Sequence, residues 1–290
     1  MAELLINPPA GLIGRENVLL AARARHHQVE RFAGPLSIKS VICGEVTWET
    51  RHGRFELVPG MALVLNDGEE YSMDIDALQP VETFCVFFAR GFVEDAWRSA
   101  TTSSLGLIDA ASAPHVGFCE RLHFDAPLLN ALSDVRDDAS IYALANELVR
   151  AQCDVDARAT RLPALRAATR AELARRVGIG TSFLHANLDR AVTIAEAAAE
   201  ACLSPFHFHR LFAAIHGTTP HRYLARLRLE RACTLLRATR RPVIDVARDC
   251  GFESVGSFTT WFAKHAGVPP ARFRRNEEAR ERPADLRLRA

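Results

Sequence analysis

No stretch of the 290-residue chain is apolar for the length that a bilayer span requires. The opening residues, Met1-Ala-Glu-Leu-Leu-Ile, carry no basic lead of the kind that starts a secretory signal. The seven cysteines are odd in number, scattered and never spaced C-x-x-C, which excludes a disulfide framework and reads as reduced thiols in a cytoplasm. Enzyme signatures are missing too. There is no G-x-G-x-x-G after a strand, no Walker loop and no G-x-S-x-G, and carboxylates are never paired in an apolar setting. What remains is an ordinary globular composition, 48% apolar, of a length that suits two domains.

The net charge of +1 conceals an asymmetry. Residues 1–125 hold 10 Lys/Arg against 17 Asp/Glu, residues 126–180 hold 8 against 7, and residues 181–290 hold 18 against 11. The balances are −7, +1 and +7. The C-terminal third is therefore basic, as contact with phosphates requires.

That third also contains a repeat. Set at an offset of fifty without a gap, residues 194–224 and 244–274 agree at nine positions. They include Ile194/Ile244, Ala197/Ala247, Ser204/Ser254, Phe208/Phe258, Phe212/Phe262, Gly217/Gly267 and Arg222/Arg272. Each copy reads as two short helices and a tight turn. Ile194, Ala197 and Ala198 share one face of the first helix, and Ile244, Val246 and Ala247 share the matching face of its counterpart. Ser204 caps the second helix and Pro205 opens it. Phe208, Leu211, Phe212 and Ile215 then form its buried stripe, and Gly217 with Pro220 ends it. Ser254, the stripe through Phe258, Trp261, Phe262 and His265, and Gly267 repeat the scheme. The joining segment, 223–237, places Leu227, Ala232, Leu235 and Leu236 inside and Arg226, Arg228, Arg231 and Arg237 outside. Helix, tight turn and helix with a polar outer face is helix-turn-helix geometry.

The motifs make the resemblance specific. Leu203-Ser204-Pro205, Arg210-Leu211-Phe212, Gly217-Thr218-Thr219-Pro220 and Arg228-Leu229-Glu230-Arg231-Ala232 lead into Ile244-Asp245-Val246-Ala247 and Gly251-Phe252-Glu253-Ser254. Gly267-Val268-Pro269-Pro270 with Phe273-Arg274 completes the set. This segment, about 182 to 275, resembles the DNA-binding domain of the AraC/XylS family of bacterial transcription regulators. The resemblance implies double-stranded DNA as partner, RNA polymerase as a further one if the protein activates, and a homodimer. In the family, the positions matching Phe206, His209 and Arg210 commonly touch bases.

Toward the N-terminus, β-rich runs at 36–43, 45–50, 54–58, 61–65, 70–75 and 82–88 alternate with turns such as Pro59-Gly60 and Asn66-Asp67-Gly68. That spacing predicts a β-barrel or sandwich. Gly44-Glu45-Val46 and Val58-Pro59-Gly60 are similar to the first hairpins of the cupin-like effector-binding barrel that many members of the family carry. The expected fold is thus α+β and multidomain. A cupin-like sensing barrel spans 1–125 and a helical connector 126–180. An all-α domain with two helix-turn-helix units spans 181–275, and a charged tail reading as disordered covers 276–290. Apolar stripes at Leu128, Leu129, Leu132 and Val135 and at Ile141, Leu144, Leu148 and Val149 offer a dimer surface or a face for their own barrel. Segment 152–162 suits a linker.

On the first recognition helix Phe206, His207, His209 and Arg210 face outward. Arg210 suits a guanine edge, and Phe206 a thymine methyl. His207 and His209 do not form a metal pair, since i and i+2 point about 200° apart on a helix. On the second, Val255, Gly256, Ser257, Thr259 and Thr260 are small, so backbone contacts and DNA shape take a larger share of the readout, or the unit is mainly structural. Arg226, Arg228 and Arg272 are candidate phosphate contacts. So are Ser204 and Ser254, although capping explains the two serines equally well. Trp48, Tyr71, Phe84, Phe87 and Phe88 could line an effector pocket or simply form core. His26, His27 and His52 cannot cluster as metal ligands, because adjacent histidines point to opposite sheet faces. No cofactor is expected. Cys43 and Cys85 read as buried structural thiols or a thiol sensor. The competing reading is a small-molecule-binding or catalytic barrel with a helical scaffold.

Overall fold

In the structure, a computed structural model, residues 4–101, 117–124, 126–159 and 167–281 are described. The strands are β1 (Leu4–Ile6), β2 (Asn17–Ala33), β3 (Ser37–Cys43), β4 (Val46–Thr50), β5 (Gly53–Leu57), β6 (Ala62–Leu65), β7 (Glu70–Phe87) and β8 (Leu122–His123). They form one sheet in the order β1-β2-β7-β3-β6-β8, with β4 pairing β5 and β7. The β2–β7 ladder is its spine, antiparallel from Val18↔Phe87 to Ala33↔Glu70.

Strand β2 lies where no strand is expected, and the runs expected at 70–75 and 82–88 are one strand, β7. The reason is a bulge. Ala24 pairs with Val81 but His26 pairs with Asp76, so residues 77–80 fit opposite Arg25 and the Gln79-Pro80 turn signal lies within a continuous strand. Beyond Leu20 most of β2 is exposed, with arginines, histidines, Gln28 and Glu30 along it, which hides it from an apolar pattern.

Alternation along the strands sends side chains to two cores. Val41, Trp48, Phe55, Leu57, Leu63, Tyr71 and Phe87 point into the barrel. Ile38, Val64, Val86 and Phe88 point to the other face, which α1 (Phe92–Thr101), α2 (Ala126–Ser133) and α3 (Asp138–Ala159) cover. Leu128, Leu132, Val135, Ile141, Leu144 and Leu148 are all buried there. The stripes considered as a dimer surface therefore pack on their own barrel. The supposed linker at 152–162 is helical as far as Ala159, and 160–162 lie outside the described residues.

The remaining helices are α4 (Ala167–Ala186), α5 (Ile194–Glu200), α6 (Pro205–His216), α7 (Pro220–Ala238), α8 (Val243–Asp249), α9 (Val255–Ala266) and α10 (Pro270–Glu281). Ser204 and Ser254 cap α6 and α9, accepting from the backbone N–H of His207 and Ser257. Gly217 and Gly267 close the same helices in the left-handed conformation. Helix α10 continues through 276–281, the start of the expected disordered tail. Arg237 of α7 holds it there through Glu277 at 2.7 Å. The rest of that tail lies outside the described residues.

The repeat itself is corrected by one residue. Four residues, 201–204, separate α5 from α6, whereas five, 250–254, separate α8 from α9. The turn bonds Leu203 N–H to Ala198 O and Phe252 N–H to Ala247 O place α8 at an offset of 49 from α5, while α9 stands at 50 from α6. Ile194, Ala197, Ala198 and Ala201 thus correspond to Val243, Val246, Ala247 and Cys250. The ungapped matches Ile194/Ile244 and Ala197/Ala247 are coincidences of register. Ile194 is buried and Ile244 is 53% exposed. Cys202 (φ 51°) and Gly251 (φ 75°) make the corresponding left-handed turns.

Two substitutions distinguish the registers. Ile194→Ala is expected to cost about 2–4 kcal/mol in urea unfolding, as a buried deletion does, and Ile244→Ala less than about 0.5. Equal losses would restore the ungapped alignment.

Candidate nucleic-acid interface

Helix α6 buries Phe208, Leu211, Phe212 and Ile215, and this fixes what its other face must show. Phe206 stands 79% exposed, with His209 and Arg210 exposed beside it and His207 half-buried. A large exposed ring flanked by a guanidinium and imidazoles is a costly surface without a partner. On α9, Phe258 and Phe262 are buried. Val255, Gly256, Ser257 and Thr260 are exposed, and Thr259 is half-buried. A Cβ at Gly256 would meet nothing within 4 Å, so this surface is open and lacks long side chains.

The arginines divide. Arg272, in the first turn of α10, is exposed. So is its repeat mate Arg222 in the first turn of α7, which the phosphate candidates omitted although the repeat had paired the two. Arg228 is engaged within the protein: its Nη2 donates to the Arg190 carbonyl at 2.7 Å, and its guanidinium lies 5.7 Å from the Phe252 ring centre. Arg226 pairs with Glu230 at 3.1 Å and lies over the Tyr223 ring, facing the seam with the N-terminal domain. Arg231, expected outside, is only 3% exposed and points at Glu56 of β5. Neither Arg226 nor Arg228 is thus set out for phosphate as Arg222 and Arg272 are.

The seam is built from a chain of hydrogen bonds. Leu122 N–H donates to His185 Nδ1 at 3.1 Å, which leaves Nε2–H to donate to Tyr223 Oη at 2.8 Å. The Tyr223 hydroxyl donates in turn to Glu120 Oε1 at 3.0 Å. Burial holds His185 well below the usual histidine range, so the ring is neutral, as the bond from Leu122 requires. Next to it His216 is lowered to about 4 by burial and by the charges of Arg158 and Arg226. A cavity of about 210 Å³ opens at this seam, lined among others by Glu120, His123, Leu148, Tyr223 and Arg226.

The aromatic pocket is not assembled as expected. Trp48, Tyr71 and Phe87 belong to the barrel core, whereas Phe84 and Phe88 face the helices on the opposite side of the sheet. The barrel interior holds Lys39 instead, 1% exposed. Its Nζ donates to Tyr71 Oη at 3.1 Å and lies 3.5 Å from the Phe87 ring centre. Burial lowers its pKa to about 7. Cys85 is buried across the ladder from Lys39, while Cys43 is exposed and pairs in register with Glu82, so the two thiols do not meet. Among the described residues no group of three His, Cys, Asp or Glu could hold a metal ion.

Comparison with known proteins follows the same division. A family model described as "AraC-like ligand binding domain" matches residues 19–171, and one described as "Helix-turn-helix domain" matches 197–276. The chain is 34% identical over 92 residues to the probable transcriptional regulator LumQ of Photobacterium leiognathi, covering 32% of this chain and 37% of that protein. It is 33% identical over 96 residues to the transcriptional regulator Rob of Salmonella typhimurium LT2, covering 33% of each. The chain thus spans about a third of the length of the curated relatives it matches. A crystal structure of the DNA-binding domain of AdpA with a target DNA is 30% identical, covering 38% of this chain and 96% of that one, with a TM-score of 0.34.

The buried lysine yields a test. Between pH 7 and 10 the unfolded chain holds the Lys39 proton and the folded barrel does not, so stability from this group rises with pH across that window. Lys39→Met is expected to remove that slope and to raise stability near pH 7, by up to about 4 kcal/mol. A variant no more stable than wild type, with the slope intact, would mean that the ammonium is charged and satisfied inside the barrel.

Proposed function

The chain belongs to the AraC/XylS family of transcription regulators, and from that premise we propose that it is a sequence-specific DNA-binding regulator acting in the cytoplasm. Residues 181 onward read the operator, and the N-terminal domain senses a small-molecule effector. The observation that carries this reading is the outer face of α6, where Phe206, His209 and Arg210 are exposed above a fully packed inner face. Arg210 offers two parallel donors to guanine O6 and N7, Phe206 packs on a thymine methyl, and His207 and His209 supply further polar contacts.

Helix α9 enters a second major groove about one helical turn, or roughly 34 Å, away. Its face of Val255, Gly256, Ser257, Thr259 and Thr260 fits backbone and shape readout better than base pairing of donors. Arg222 and Arg272 at matching helix starts, with the capped N-termini at Ser204 and Ser254, support both units on phosphates. An effector at the Tyr223–Arg226 seam would touch both domains at once. A homodimer would use a surface other than the α2–α3 stripes, and RNA polymerase is a partner if the protein activates.

Footprinting on the chain's own upstream DNA tests this. Protection is expected over two adjacent major grooves on one face, falling steeply as salt rises. Arg210→Ala should relax discrimination at one base pair by about 1–3 kcal/mol. Affinity and specificity both unchanged in that variant would remove Arg210 from the readout.

A further inference from the structure

The two helix-turn-helix units are not secured in the same way. Helix α5 secures its own start. Thr193 Oγ1 accepts from Glu196 N–H, Glu196 Oε2 accepts from Thr193 N–H at 2.7 Å, and Arg190 bonds Glu196 Oε1 at 2.7 Å. Helix α8, equally short, has Pro242 at its N-cap and no side-chain cap bond. A seven-residue helix without a cap is marginal by itself.

What stands at the start of α8 is Arg241. Its Nη1 reaches Asp249, the last residue of α8, at 2.7 Å, and Glu56 at 3.1 Å. Its Nη2 reaches Glu56 at 2.7 Å and also Glu45. Glu56 is on β5, and Glu45 immediately precedes β4. Two of the three carboxylates on this guanidinium therefore belong to the N-terminal domain. Arg231 of α7, buried, adds a second cation 3.5 Å from Glu56. From the other side Arg274 of α10 donates to the Arg241 carbonyl at 2.7 Å. The hairpin is itself fixed against the helices at its turn. Gly53 (φ 151°) approaches α4 so closely that a Cβ there would lie 2.5 Å from the Ala186 carbonyl oxygen.

We propose that the β4–β5 hairpin is a working part of the second helix-turn-helix unit. Glu45 and Glu56 hold Arg241, which ties the entry to α8 to Asp249 at the helix end, so the hairpin braces a helix that lacks the capping box α5 has. Arg241 is a positioning residue. Helix α5 caps itself and α6 of the first unit packs on α3, whereas the entry to α8 is seated by the β4–β5 hairpin. The N-terminal domain consequently holds the two units by different means, the first through α3 on α6 and the second through the hairpin at α8, on which α9 packs. This rests on the DNA-reading assignment above, whereas the support of α8 by the hairpin does not.

The test uses the full chain with Glu45→Gln and Glu56→Gln together, read by hydrogen exchange and by footprinting. Amides of α8 are expected to exchange about five- to tenfold faster, with α5 unchanged, a size discounted for the partial exposure of these groups. Protection of the groove read by α9 should weaken while that of the α6 groove persists. Arg241→Gln should reproduce both losses, and Arg241→Lys, which keeps the charge, should retain part of both signals. Unchanged exchange in α8, equal loss in both grooves, or stronger protection of the α9 groove would each overturn the proposal. If the wild-type chain protects no DNA while α8 still loosens in the variant, the DNA-reading assignment fails and the support by the hairpin stands.

Discussion

One continuous apolar core runs from the barrel into the helices, and the rest of the structure depends on it. Trp48, Phe55 and Leu63 inside the sheet belong to the same cluster as Leu184, Phe208, Tyr223 and Phe262. Apolar burial has no direction of its own, so it cannot by itself set the angle between two bodies. The polar groups at its edge set that angle. The His185–Tyr223–Glu120 chain and the arginines around Glu56 each need one geometry to satisfy their bonds, and a half-satisfied network costs more than none. The core joins the two domains, and the polar bonds orient them.

How much of this was legible in the sequence depended on whether the signal was local. Ser204-Pro205, Ser254, Gly217 and Gly267 mark helix ends through contacts within a few residues, and every one acts as read. The register of α8 was not legible, because an extra residue in a turn leaves no mark when isoleucine and alanine recur one position away. Strand β2 was hidden for another reason. A ribbon exposed along much of its length carries polar residues where the period-2 pattern expects apolar ones.

Long-range partners were harder still. Nothing near Arg231 in the sequence indicates that Glu56 will neutralise it, so a helical arginine reads as solvated. Phe84 and Phe88 were grouped with Trp48 and Tyr71 because all are aromatic. One residue of parity along β7 separates the two faces, and parity cannot be counted from a strand whose start and bulge are unknown. The recognition surface of α6 was legible because it is what the buried stripe leaves over.

The Gly53 turn has a consequence for handling the molecule. Tips of β-hairpins are ordinarily where a chain accepts an inserted loop, an epitope or a fluorescent label, because they face water. This tip is a joint, seated against the end of α4. Extra residues at 51–53 would act as a wedge between sensor and reader, and a tag chosen for convenience there would uncouple the two halves it was meant to report on.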